Sequence, residues 1–477
     1  MELWALLIIW LGGWACIPHL LLLNKRPTAT LAWLWAIFLF PGFGPVLYLM
    51  IGSEQVKRLR MNRRKAFRGK DRWSAARSHA DKAWKALAKK NGLDQSAHTL
   101  LDSLSTITEL PVATVSDLRV LRKAPAYYSA LQKDIREAQH SLEIQSYIWR
   151  DDEVGKEFLG LLVQAAERGV KVKVLLDELG SFWLRERYFR PLVEAGGEFS
   201  WCHTLSPLRN RYSFNLRNHR KLQIVDGKVA FVGGMNFGRE YLGTDPAWGD
   251  WADIQVRVEG TAVDILQQIF AEDWFFATGA DSLKLPAHGI QPKEGDTFAQ
   301  VLRGGPDELD HPMLRSNIAL VGHANRRLWI GTGYFVPGEV MQAALQVAVS
   351  RGVDVRLLIS LKNQHPLLVK AGRSYYDALL RQGIKIYEYS KGIEHSKYMI
   401  IDDDWSSVGS SNFDERSMRL NFELSLLAFS RETNHELAKI FQKTISESHE
   451  IHRKAFSNRP YLEKLVESAL RPLSPVL

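Results

Sequence analysis

The sequence predicts an α/β protein of two similar lobes, each a mixed sheet flanked by helices, behind an N-terminal pair of apolar helices. Three observations carry that prediction. An eighteen-residue motif occurs twice in the 477 residues, a strand–helix–strand pattern precedes each copy, and two long apolar runs open the chain.

The apolar runs are Leu3 to Leu23 and Thr30 to Gly52, about 21 and 23 residues, each enough to span a hydrocarbon core of roughly 30 Å. The link from Asn24 to Ala29 makes them a transmembrane hairpin, the domain 1–54. A cleaved leader is disfavoured, because no basic residue precedes the first run and a second run follows at once. Pro41-Gly42 and Gly44-Pro45 would kink the second span, and a re-entrant loop is the alternative there. His19 lies near the polar end of its run. Nine Lys/Arg crowd Lys57 to Arg72 against Asp71 alone, and the link holds only Lys25 and Arg26, so the residues beyond 55 are expected on the cytoplasmic side.

This segment accounts for nearly all of the net charge of +9, leaving 53 Lys/Arg against 52 Asp/Glu elsewhere. A nucleic-acid enzyme would carry its positive charge along the catalytic groove, so a nuclease and a nucleic-acid partner are disfavoured. The basic run suits an anionic leaflet instead. With only Cys16 and Cys202, no disulfide framework is possible. Residues 55–110 read as a polar, basic juxtamembrane connector with weak helical periodicity.

Two lobes follow, expected over 111–290 and 291–477. In the first, Leu142–Ile148 reads as a strand, Val154–Arg168 as a helix and Val170–Asp177 as a buried strand. In the second, Leu328–Tyr334, Glu339–Arg351 and Val353–Ile359 repeat the pattern, with matching joins Glu167-Arg-Gly-Val170 and Ser350-Arg-Gly-Val353. Strands alternating with helices of this length imply sheets covered by helices. A pseudo-two-fold axis between the lobes would bring the two motifs together. Helices at Glu259–Phe276 and Glu432–Lys454 are expected to close the lobes. Pro460–Leu470 places Tyr461, Leu462, Leu465, Val466, Ala469 and Leu470 on one helical stripe; core packing is the expectation, interfacial membrane contact the competing reading.

The repeated motif runs from His219 to Asn236 and from His395 to Asn412. Both copies place Lys at +2 (Lys221, Lys397), Asp at +7 (Asp226, Asp402), Gly at +14 and Asn at +17 (Asn236, Asn412). Apolar and β-branched residues broken at Asp226-Gly227 and Asp402-Asp403 predict strand, tight turn and strand. Residues i and i+2 of a strand share a face, so each His projects with its Lys, while Leu222, Ile224, Tyr398 and Ile400 face a packed layer. A single His-x-Lys strand is explained as a solvated edge; two matched copies are not. Paired imidazoles and ammoniums suit a phosphodiester. One neutral ring can attack phosphorus and a protonated partner can assist the leaving alkoxide. Lys221, Lys397, Asn236 and Asn412 can bind the non-bridging oxygens. No Cys/His cluster or acidic cage is visible, so no metal or other cofactor is expected. Asp226 and Asp402 complete the motif and stand among the catalytic candidates, but both sit at the turn, where Asp is favoured for local reasons, and a structural role is the preferred reading. Ser410 could add a donor, but its counterpart is Gly234, so the half-sites differ. His203 and His365 read as ordinary histidines.

The paired pattern resembles the signature of the phospholipase D superfamily. Asn215–Lys221, Glu240–Gly243, Trp251–Gly260, Gly333–Glu339 and Arg416–Glu423 resemble its bacterial cardiolipin synthases, as does the apolar start. The resemblance implies two phospholipase D-like lobes and a multi-pass enzyme of the bacterial cell membrane. It implies transfer of a phosphatidyl group between two phosphatidylglycerols with release of glycerol through a phosphohistidine, and phosphatidylglycerol and anionic lipid as partners. Spacing does not say which histidine attacks; the resemblance makes His219 the nucleophile and His395 the acid/base. It also places Asp253 and Glu423 where an acid orients the catalytic imidazole. Gln145, Gly333-Tyr334 and Glu394 depart from the family pattern, and an acid beside His395 would raise its pKa. Competing readings are a phospholipase D-type hydrolase, transfer to another alcohol, a nuclease, and a scaffold, which the two intact motifs disfavour.

Overall fold

The computed structural model describes residues 13–23, 27–49, 72–90, 92–202, 216–280, 297–308 and 310–473. The chain divides into an N-terminal unit and a body. In the first, helices span Cys16–Leu22, Pro27–Leu39 and Phe43–Leu47. The one helix expected over Thr30–Gly52 is thus broken. Pro41 and Pro45 have no N–H to give to a helical ladder, and Gly44 lies against the Ala36 carbonyl where a side chain would not fit. No helix among the described residues is long and apolar enough to cross a membrane. Residues 1–12, 24–26 and 50–54 of the expected hairpin, like residues 57–71 of the basic run and His203, lie outside the described residues. Leu20, Ile37 and Tyr48 form a small core, and His19 Nδ1 lies 2.7 Å from the Tyr48 hydroxyl.

The body begins with helices Arg72–Lys90 and Gln95–Thr108. The second is capped by Asp94, which accepts the Ala97 N–H at 2.8 Å. These residues are not a free connector, as the sequence suggested. Trp84, Leu100, Leu101 and Leu104 share a core with Leu320, Leu328 and Leu345 of the second lobe. The strand after them, Ala113–Val115, pairs antiparallel with Thr297–Gly304 of the second lobe. The first lobe therefore opens at Asp117, not at residue 111. Only one narrow face of these helices is apolar, which is why their period reads weakly.

Among the described residues the first-lobe sheet has seven strands, in the order Asp117–Arg122, Ile254–Glu259, Val229–Gly233, Leu222–Val225, Ser141–Ser146, Lys171–Leu176 and Glu198–Trp201. The second has nine: Ala113–Val115, Thr297–Gly304, Glu423–Phe429, Trp405–Gly409, Lys397–Ile401, Arg327–Thr332, Asp354–Ser360, Lys385–Tyr389 and Ser448–Glu450. Without its outermost strands the second repeats the first one for one. The paired strand–helix–strand units fall within two residues of their predicted bounds, with helices Glu153–Glu167 and Gly338–Ser350. The closing helices are Thr261–Thr278 and Arg431–Ser446. The latter stops short of Lys454 because Ser448–Glu450 leaves it to pair with Lys385–Tyr389.

Both motifs form the predicted hairpins at the centres of the sheets. Leu222 and Ile224 of one and Tyr398 and Ile400 of the other lie in a single buried core with Ile254, Trp274, Leu424 and Phe441. The two lobes thus share one apolar interior, and its burial fixes how they face each other.

The C-terminal helix, Tyr461–Leu470, departs from expectation. Its apolar stripe is outside: Tyr461 is 79% exposed, Leu462 69% and Leu465 50%. The residue it buries is Glu467.

Candidate active site

The parallel strands Ser141–Ser146 and Arg327–Thr332 run antiparallel to the motif strands. Each motif histidine therefore sits at the carboxyl end of its lobe's parallel strands, where α/β sheets commonly open their binding crevices. The motif strands begin at Leu222 and Lys397, so both imidazoles stand just before a strand.

The lobes cross at this point. The His219 N–H donates to the Phe422 carbonyl at 2.9 Å, and the His395 N–H to the Ala252 carbonyl at 2.7 Å. The next residue in each case is an acid whose carboxylate meets the imidazole. His219 Nδ1 lies 3.1 Å from Glu423, and His395 Nδ1 2.7 Å from Asp253. A two-stranded parallel pairing of Asp250–Ala252 with Gly392–Glu394 stitches the lobes together beside His395, and an Asn218–Phe422 bridge does so beside His219. Segments 176 positions apart thus form one constellation, each histidine served by the other lobe's carboxylate.

Both lysines are buried. Lys221 Nζ donates to the His219 carbonyl at 2.8 Å and Lys397 Nζ to the His395 carbonyl. Burial pushes both ammoniums below the usual lysine range, Lys221 strongly so, against the pull of Glu423 and Asp253. Burial also lowers His219, with Glu423 opposing and Lys221 reinforcing the shift. His395 is pushed down to about 4 by burial and then by the Lys397 charge, with Asp253 opposing. The upward shift expected from Glu394 does not occur. Its carboxyl turns to the Ser396 N–H and hydroxyl, and burial followed by the Asp253 charge raises it to about 8. Burial raises Glu423, but the His219 charge and hydrogen bond and then Lys221 outweigh it, leaving that carboxyl low.

The remaining candidates separate. Ser410 Oγ donates to Glu423 at 2.5 Å, so it braces the carboxylate instead of facing a substrate. Its counterpart Gly234 leaves room that Asp253 fills, since any side chain there would meet that carboxylate. Asn236 is engaged inside its lobe: Nδ2 donates to Tyr241 Oη at 2.5 Å, and Oδ1 accepts from Ile148 N at 3.2 Å and Ser146 Oγ at 3.3 Å. Buried Asn412 has no partner for its carbonyl oxygen among the described residues. The two asparagines are therefore not equivalent, and only Asn412 keeps an acceptor uncommitted.

Asp226 and Asp402 stand outside the constellation. Each caps the far end of its hairpin, five residues and about 16 Å of strand beyond the motif lysine. Asp226 accepts the N–H groups of Gln139, His140 and Ser141 at 2.7–3.0 Å, and Asp402 those of Asn325, Arg326 and Arg327 at 2.7–3.1 Å. Both are left-handed, at φ 53 and 48, a conformation Asp tolerates better than most residues. In the first turn Gly227 follows at φ 63, whereas Asp403 does not share that conformation.

An aromatic wall escaped the sequence reading. The Tyr147 ring lies edge-on, 5.0 Å from His219, and Trp251, Tyr241 and Tyr334 lie 5.4, 6.2 and 6.4 Å from His395. Arg217 and Arg416 interact with Tyr147 beside them. Asp177 holds Asn218 N at 2.8 Å, just before the first histidine. Arg217, Tyr241, Trp251, Tyr334 and Arg416 fall inside the stretches that carry the family resemblance, but that signal gave none of them a place beside the histidines. Gln145 donates to Asp273 at 2.7 Å, a structural bond behind the site. His365 is exposed, 6.0 Å from the Tyr334 ring.

Paired lobes with crossed imidazoles and carboxylates define a phospholipase D-like protein. The model for "Cardiolipin synthase, PLD-like domain" matches residues 131–274 and 318–445, and the one described as "Phospholipase_D-nuclease N-terminal" matches 3–53. Cardiolipin synthase 2 of Bacillus anthracis is 36% identical over 457 residues, 95% of this chain and 88% of its own length. A cardiolipin synthase of Geobacillus sp. (strain WCH70) is 35% identical over 461 residues, 95% and 90%. A crystal structure of the phosphatidylserine synthase of Haemophilus influenzae Rd KW20 shares the fold. Its TM-score is 0.60 at 14% identity, over 79% of this chain and all of that one. The chain belongs to the cardiolipin synthase family of phospholipase D-like proteins.

Proposed function

We propose that this chain is a phosphatidyltransferase that joins two phosphatidylglycerols into cardiolipin and releases glycerol. The observation that carries the reading is that a carboxylate of the opposite lobe occupies each imidazole's Nδ1. That bond sets the tautomer with the proton on Nδ1, leaving both Nε2 atoms for one phosphorus. His219 Nε2 attacks the donor phosphorus. A P–N bond forms, the bond to the glycerol oxygen breaks, and His395 gives that oxygen a proton. In the second half, His395 takes the proton from an acceptor hydroxyl, whose oxygen displaces His219. A phosphodiester anion between Lys221 and Lys397 offsets the cationic charge that depresses His395, which restores its capacity to carry a proton. Asn412, with its uncommitted carbonyl, orients the acceptor hydroxyl, while Glu423 and Asp253 hold the rings as their charge changes.

The N-terminal helices anchor the enzyme in the cell membrane, with the lobes on the cytoplasmic side. Leu22, Trp35 and Phe43 are 80, 60 and 67% exposed, as lipid-facing residues would be, and the basic run fixes orientation.

The test supplies the purified full chain with phosphatidylglycerol alone in excess EDTA and identifies products by mass spectrometry. Cardiolipin with free glycerol is expected, at a rate EDTA leaves unchanged. Phosphatidic acid as sole product would instead make the protein a hydrolase.

A further inference from the structure

The C-terminal helix is amphipathic the wrong way round for a surface helix. Glu467 is its buried residue, 2.7 Å from Arg459 Nη2 and 3.0 Å from Arg373 Nε. Arg459 in turn lies 3.8 Å over the Phe456 ring. The helix is thus pinned to the body through charge and offers its apolar stripe outward. Between it and the helix Pro366–Arg373 runs a groove of about 700 Å³, walled by Trp248, Leu361, Pro366, Val369, Leu462 and Val466. Lys362 and Lys370 stand exposed at the groove, with no carboxylate partner among the described residues.

The groove connects to the catalytic constellation. Asn363, in its wall, donates to the Gly333 carbonyl at 3.1 Å, and Tyr334 is 6.4 Å from His395. The segment after strand Asp354–Ser360, with Leu361 in the loop and Leu367 in the helix that follows, corresponds, across the pseudo-two-fold, to the loop after Lys171–Leu176. That loop exposes Phe182 by 57% and Trp183 by 83%, while Leu367 is 51% exposed. Ser181 ties it at 3.2 Å to the carbonyl of Tyr147, whose ring abuts His219. Apolar side chains of both lobes therefore project from the end of the molecule at which the histidines lie.

We propose that this face docks on an anionic phospholipid bilayer. The C-terminal helix and the Phe182-Trp183 loop enter the headgroup zone, Lys362 and Lys370 meet lipid phosphates, and the groove takes an acyl chain beside the site. Aromatic and aliphatic residues outward with lysines flanking them match an interfacial segment, and an anionic leaflet supplies apolar depth and counter-charge together. The proposal rests on the membrane-lipid substrate argued above.

The test places an environment-sensitive fluorophore at Leu465→Cys in a Cys16→Ser, Cys202→Ser full-length chain. The protein is reconstituted in vesicles of phosphatidylcholine and phosphatidylglycerol that carry a lipid-bound quencher in the shallow acyl region. Tyr461→Cys is a second probe site, and Lys228→Cys, at the hairpin turn away from the histidines, is the aqueous control. Quenching is expected at 461 and 465 and not at 228, with the docking equilibrium weakened about fivefold for each of Lys362→Gln and Lys370→Gln. Probes as unquenched and as water-exposed as at 228 would overturn the proposal. So would a shielded probe that lipid quenchers do not reach, which would mean a second copy or a protein partner covers the face. The readout needs no turnover: quenching in an enzyme inactive on phosphatidylglycerol would sink the activity and leave the docking face. An active enzyme with water-exposed probes would do the reverse.

Discussion

Two imidazoles in one buried cationic pocket cannot both be protonated cheaply, and this shapes the pH behaviour. His395, pushed down to about 4, binds no proton between pH 6.5 and about 4, where the unfolded chain does. Stability is therefore complete above pH 6.5 and is lost as pH falls through that window. An NMR titration of the His395 ring should give a midpoint far below 6.5, and Lys397→Met should move it upward by removing the second-largest depressing influence. A midpoint unmoved by that change would show the lysine charge does not reach the ring. Glu423→Gln and Asp253→Asn keep shape but lose the charge that steadies each imidazole. Each should lower kcat by about 10²–10⁴-fold with little change in thermal stability. His219→Ala and His395→Ala should each abolish turnover, and only the variant retaining His219 should still trap a lipid adduct.

At the scale of elements, the motif hairpins explain what the sequence could and could not disclose. Strand, turn and strand were legible because β-branched alternation and the Asp226-Gly227 turn are local signals. So was the repeat, because chemistry at phosphorus demands the same residue types at the same spacing twice. The pairing of acids with histidines was not legible. Asp253 follows His219 by 34 positions and Glu423 follows His395 by 28, so proximity along the chain suggests the wrong partner for each. Only the packing of the lobes reverses it. The aspartates of the motif share their spacing because each ends its hairpin and there accepts three backbone N–H groups, although the two turns differ at the residue that follows. Asp226→Ala and Asp402→Ala each strand three backbone donors partly open to water, so each should cost about 1–3 kcal/mol. Urea unfolding should register the loss while kcat stays near normal. For Asp226, burial raises the carboxyl but the N–H groups of Gln139, Ser141 and His140 bring it below its ordinary value. Its stabilisation is therefore present above about pH 4 and lost as pH falls below it.

Across the whole molecule, polar ties accompany the shared apolar core. Arg220 of the first lobe binds Asp273 at 2.7 Å and reaches over to the carbonyls of Gly304 at 3.1 Å and Glu423 at 3.3 Å. Arg220→Ala would remove the buried guanidinium partner of Asp273 and one strap between lobes. It should cost about 3–5 kcal/mol, read as a lowered unfolding midpoint together with lost activity. The inverted C-terminal helix was misread for a physical reason. Amphipathic period reveals that a helix has an apolar face, but not whether protein, lipid or solvent meets it.

The exchange of carboxylates between lobes has a consequence for ancestry. A lone lobe of this kind holds an imidazole whose orienting acid lies in another molecule, so it could assemble a working centre only by associating with its twin. Joining two such units in one polypeptide keeps that symmetry while releasing each half to specialise. Gly234 opposite Ser410, and a committed Asn236 opposite an uncommitted Asn412, show that the two halves no longer match residue for residue.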